Sequence, residues 1–156
     1  MWKLAPLALY VLAGPSCIGP FGGCTLIGCG PIASVDIPDL TDESQLSGAT
    51  IELCIEQRCV TGVVPAAPDM VGSGQYQPLS GDFLADVIVW RTESGVRVVV
   101  ELSHADALEN GDVYSATISA NGTTLTAHTW TARYERTYPN GRGCDDGCVQ
   151  ATLTAQ

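Results

Sequence analysis

Past Lys3 the chain has no lysine. That absence removes a P-loop NTPase, a protein kinase, a pyridoxal enzyme and every lysine Schiff-base mechanism, since each needs that amine at its reacting centre. Basic residues of any kind are scarce, 7 against 17 acidic ones for a net charge of −10. A chain without a basic stripe cannot displace phosphate counterions, so nucleic acid is excluded as a partner. Histidine occurs twice, as His104 and His128. Two are too few for a three-histidine zinc site, and they do not form H-E-x-x-H. No G-x-S-x-G elbow or G-x-G-x-x-G loop is present. No cofactor is implied.

Aromatics make up only 6% of the 156 residues and charged residues 15%, but 46% are apolar, with 17 glycines and 9 prolines. This composition excludes disorder and bounds the chain to one ordinary domain. Residues 4–35 are uncharged, yet prolines and glycines punctuate them, and the best apolar block is residues 4–13. Ten residues fall short of the ~20 that a spanning helix needs. A positive start, a short apolar block and then small residues is the layout of a secretory signal.

Leu26-Ile27-Gly28-Cys29 resembles the lipobox of bacterial lipoproteins. The resemblance implies cleavage before Cys29, diacylation of that cysteine with palmitate-type chains, and a partner in the membrane itself through the N-terminal lipid. Cys17 and Cys24 are rival acceptors, with Cys17 the better placed after the apolar block. Parity weighs the three. Lipid on Cys29 leaves Cys54, Cys59, Cys144 and Cys148, an even number suited to two disulfides. Lipid on Cys17 also leaves an even number, whereas Cys24 strands an odd thiol. The expected organisation is a signal peptide over residues 1–28, a lipid-attached, acidic flexible linker over 29–47, and a folded domain over 48–156. Asp36, Asp39, Asp42 and Glu43 lack EF-hand spacing, so the linker reads as a solvated tether rather than a calcium loop.

From residue 49 short β-rich runs alternate with turns. They cover 49–55, 58–64, 83–91, 96–103, 112–120, 123–138 and 149–155. Asn121-Gly122 is the strongest hairpin signal, because both central positions of a type I′ turn need positive φ. The expectation is an all-β fold, a two-sheet antiparallel sandwich of about seven strands. Leu108–Tyr114 resembles the tyrosine-corner entry of immunoglobulin-like and fibronectin-like domains. The resemblance implies that the Tyr114 hydroxyl bonds backbone upstream and that Trp90 takes a core position. Residues 123–138 carry apolar side chains on both parities, which calls for a bulge near His128-Thr129.

Cys54 and Cys59 flank a Glu56-Gln57 turn at a spacing that suits a cross-strand bridge. Proximity favours the same for Cys144 and Cys148, although four cysteines allow three connectivities. Zinc is the rival, but the usual C-x2-C knuckle is missing. Two stretches offer adhesive side chains. One is the connection 65–82 with Met70, Val71, Tyr76 and Leu79, which reads either as a recognition loop or, over 74–79, as an irregular edge strand. The other is the tail run with Trp130, Arg133, Tyr134, Arg136 and Tyr138. Met70, Tyr76, Trp130 and Tyr134 are the candidate contact residues. The expected function is an exported, membrane-anchored lipoprotein carrying a non-catalytic binding or envelope-structural module. It would be placed on the extracytoplasmic side of the cell membrane or outer envelope, with another envelope or extracellular protein as partner. The alternatives are an extracytoplasmic hydrolase using His104 or His128 with a distant serine and carboxylate, since the sequence neighbours Ser103, His104 and Asp106 do not make a triad by proximity alone, and a calcium-dependent adhesion domain.

Overall fold

The computed structural model describes residues 29–37, 43–46, 48–142 and 147–155. Alternation of apolar residues with period two draws them into strands whose inward positions make one core. In chain order the elements are β1 (Ala33–Ile37), α1 (Glu43–Leu46), β2 (Thr50–Ile55), β3 (Arg58–Val63), β4 (Gly74–Pro78) and β5 (Ser80–Gly81). They continue with β6 (Leu84–Thr92), β7 (Gly95–His104), β8 (Val113–Ala120), β9 (Thr123–Thr137) and β10 (Cys148–Ala155). All ten strands belong to one mixed sheet in the order β4-β6-β7-β1-β10-β9-β8-β2-β3-β5. Among the described residues only β1 and β10 pair in parallel, through Ala33 and Ala151.

The fold is all-β, but it is a single sheet curled nearly into a barrel in place of two sheets of about seven strands. Its closure depends on Leu79. The chain pairs with β6 along β4, passes Leu79, and pairs with β3 along β5, so consecutive residues occupy the two ends of the strand order. Leu79 N–H donates to the Ala85 carbonyl, and Asp82 N–H donates to the Cys59 carbonyl, while the Asp82 carboxylate accepts from the Cys59 N–H. Close approach there requires glycine. A Cβ on Gly81, whose φ is +151°, would lie 2.1 Å from the Cys59 carbonyl oxygen, and one on Gly62 would lie 2.6 Å from Leu79.

The interior is filled by Ile51, Leu53 and Ile55 of β2, Val87 and Val89 of β6, Val98, Val100 and Leu102 of β7, and Tyr114 and Ile118 of β8, all buried completely. Leu46 of α1 and Val35 and Ile37 of β1 join them. Within the expected tether, Ala33–Ile37 are therefore a sheet strand, β1, held to β7 through five residue pairs. Its alternation is Ala33, Val35 and Ile37 inward, with Ser34 and Asp36 outward.

Three further expectations change. The bulge in β9 falls at Leu125, because Ile118 pairs with Thr126 and Ser119 with Thr124. Ala127 is exposed as a result, and Trp130 and Ala132 face inward. Trp90 stands on the outward side of β6, half-buried, and the core tryptophan is Trp130. Tyr114 is buried as the corner motif implies, but its hydroxyl meets that of Tyr134 at 2.6 Å rather than backbone upstream. Asn121 and Gly122 take φ of 52° and 77°, as the hairpin requires.

Candidate binding surface

The cysteines fix the frame. Cys54 and Cys59 are opposite in register and bonded, with Cα atoms 4.0 Å apart, as their spacing predicts. Cys148 is bonded to Cys29, 119 residues away, with a Cα separation of 5.4 Å. This corrects two expectations. Cys148 is not paired locally with Cys144, which lies outside the described residues. The Cys29 sulfur is in a disulfide, and one sulfur cannot also form the thioether that lipid attachment needs. Sequence spacing missed this pairing because it sees only near neighbours, whereas the first described residues come beside the last strand by way of β1 and β10.

The two histidines stand apart, His104 on β7 and His128 on β9. His104 is about two-thirds exposed, with Nε2 3.6 Å from the Asp106 carboxylate, which is 92% exposed. Arg58 donates to the Asp106 backbone carbonyl at 2.8 Å. Ser103 precedes His104 in β7 at the irregularity where Leu84 pairs with His104 and Ala85 with Leu102, and both are exposed. The His128 ring lies 5.7 Å from that of Trp130, tilted by 42°, and belongs to β9, away from His104 in the strand order. Among the described residues no group of three or more His, Cys, Asp or Glu is placed to hold a metal ion. Asp36 is paired with Arg97 at 2.7 Å and Glu43 with Arg91 at 2.7 Å, so these acids of the calcium reading serve the fold. Asp39 and Asp42 lie outside the described residues.

A shallow groove of about 230 Å³ crosses β3, β2 and β8, lined by Thr50, Ile51, Glu52, Thr61, Thr117 and Ser119. Hydroxyls and one carboxylate can hydrogen-bond a polar surface.

The four candidate contact residues separate into two pairs. Trp130 is 4% exposed, in the core, and Tyr134 is half-buried with its hydroxyl on Tyr114. Both are withdrawn from contact, because the pleat of β9 turns them inward once the bulge at Leu125 has set the phase. Burial raises the pKa of both tyrosines, most strongly that of Tyr134, where the Tyr114 hydroxyl and Asp112 add to it. Met70 and Tyr76 remain outward, 72% and 53% exposed.

Met70 and Val71 form the tip of the connection from β3 to β4. Arg91 holds this connection: its Nε donates to the Pro68 carbonyl, its backbone N–H to Ser73, and its carbonyl accepts from Gly72. Residues 74–78 that follow are the edge strand, not loop. Tyr76 stands there opposite Ile88, its ring 6.2 Å from that of Trp90 at 73°, an edge-to-face contact. The Trp90 ring lies across Gly74, where a Cβ would come within 3.0 Å of it. Ile88 and Val99, side by side on this outward face, are nonetheless buried.

Among the described residues no helix is long and apolar enough to cross a membrane. No protein-family model, curated protein or solved structure matches the chain.

Proposed function

We propose that the chain is an exported, non-catalytic binding or envelope-structural module, held at a membrane surface by an N-terminal lipid on its extracytoplasmic side and meeting another envelope or extracellular protein there. The observation that carries the reading is the Cys29–Cys148 bridge. A cross-link over this span, together with Cys54–Cys59, belongs to an oxidising compartment.

With the Cys29 sulfur engaged, the lipid acceptor in this reading is Cys17, directly after the apolar block of the leader. Seven cysteines less Cys17 leave six, and the two bridges use four of them. Cys24 and Cys144 are left over, an even number. The hydrolase alternative draws no support from His104 and Asp106, whose 3.6 Å approach lies on the exposed surface. Describing the scaffold as immunoglobulin-like rests on the Leu108–Tyr114 motif alone, and the proposed role does not depend on it.

Metabolic labelling with alkyne-palmitate in a bacterial host tests the anchor. Label is expected on the wild-type chain and on Cys24→Ser, and is lost in Cys17→Ser. Absence of label from the wild-type chain, or its survival in Cys17→Ser, overturns the proposed attachment.

A further inference from the structure

The outward face of β4, β6 and β7 carries a feature that folding alone disfavours. Asp86 and Glu101 are direct partners across β6 and β7, both half-buried. Like charges placed opposite one another across a strand pair destabilise a sheet. Neither carboxylate has a hydrogen-bond or ion-pair partner among the described residues. The arginines do not answer them. Arg58 is bound to Asp106, Arg91 to Glu43, Arg97 to Asp36 and Arg133 to Glu135, and Arg142 lies over the Tyr138 ring. Arg136 is also engaged.

Aromatic rings stand beside the two acids. Tyr76 is opposite Ile88, one pleat from Trp90 in one direction and from Asp86 in the other. The Tyr76 ring stands edge-on to that of Trp90, and Ile88 and Val99 beside them are buried, so the accessible part of the face is the aromatic pair and the two acids. Aromatic faces attract ammonium and guanidinium groups, and more strongly where water is excluded. The net charge of −10 steers cations toward the protein and repels an anionic lipid surface.

We infer that this face is a docking surface for a lysine- or arginine-bearing segment of a protein partner, whose cationic head is received by Asp86 and Glu101 and whose stem lies against Tyr76 and Trp90. The inference rests on the binding-module reading and adds to it the surface and the partner's chemistry.

The test uses the full, oxidised chain with a hexalysine peptide as probe, followed by calorimetry and by tryptophan fluorescence. The double variant Asp86→Asn/Glu101→Gln is expected to weaken binding at least ten-fold, and Tyr76→Leu about five-fold. Glu93→Gln/Glu109→Gln removes the same charge at exposed positions elsewhere and is expected to change binding less than two-fold. Failure of the wild-type chain to bind hexalysine overturns the inference. Equal weakening by the two double variants also overturns it, since binding would then follow diffuse charge alone. Relief of the like-charge contact should raise the unfolding midpoint of the first variant. Should that variant fail to fold, exposed Tyr76→Leu decides alone, and unchanged binding refutes the surface. None of these outcomes bears on the palmitate label, so failure of this surface and failure of the anchor are separable.

Discussion

The Sγ of Cys29 is bonded to the Sγ of Cys148, so the first described residue is tied to the start of the last strand across 119 positions. The second bridge, Cys54–Cys59, closes a loop of five. Chain-entropy arguments make the two unequal: about 5 kcal/mol for the long closure and about 2 kcal/mol for the short one. Replacing Cys29 and Cys148 together by serine should lower denaturant stability at least twice as much as replacing Cys54 and Cys59. Equal losses would mean that the unfolded chain does not gain its freedom from the long loop.

Tyr114 and Tyr134 make an asymmetric pair. Tyr114→Phe leaves the Tyr134 hydroxyl near the Asp112 carboxylate, 3.4 Å away, and should cost about 1 kcal/mol. Tyr134→Phe leaves the hydroxyl of a completely buried Tyr114 without its partner and should cost more, about 1–3 kcal/mol. Urea unfolding midpoints check the order.

The same pair sets an alkaline limit. Burial raises both folded-state values above the ordinary tyrosine value of about 10, so unfolding is coupled to proton loss at high pH. The contribution is fully present below pH ~10 and is lost as pH rises from there toward the folded values. Stability should therefore fall above pH ~10, and the double variant Tyr114→Phe/Tyr134→Phe should lose less over the same interval. Thermal unfolding measured from pH 8 to 11 reads this directly.

Glycines at the closure and at the hairpin should differ in sensitivity. Gly122→Ala meets open space and bears only its positive φ of 77°, a cost of about 1 kcal/mol. Gly81→Ala adds a methyl 2.1 Å from the Cys59 carbonyl oxygen and must displace backbone, so a loss of about 3 kcal/mol or more is expected. Chemical denaturation of the two variants would contradict the closure at Leu79 if Gly81→Ala proved the milder.

Local signals were legible in the sequence where one residue pair decides the backbone. Asn121-Gly122 specified its turn, and the positions of Cys54 and Cys59 specified both a hairpin and its cross-link. β1 was hidden because Asp36 and the neighbouring acids resemble a solvated linker, although Ala33, Val35 and Ile37 carry the period of a strand; Asp36 is accommodated by facing outward to Arg97. β4 and β5 were hard to read because their side chains are mostly exposed and Pro78 interrupts them. Of the contact candidates, Met70 and Tyr76 stay outward, whereas Trp130 and Tyr134 depended on where the β9 bulge falls, a matter of pairing with β8. The opposition of Asp86 and Glu101 is likewise a product of register between β6 and β7, which no spacing within either strand reveals.

Export is the claim on which the proposed role turns, and its most direct measurement is the intact mass of the membrane-extracted protein, alkylated before and after reduction. The account predicts no alkylation before reduction, six alkylated cysteines after it, being the seven less the acylated one, and a residual mass of lipid on the fragment that begins at Cys17. Free thiols at Cys29, Cys54, Cys59 and Cys148 in protein taken from native cells would contradict it.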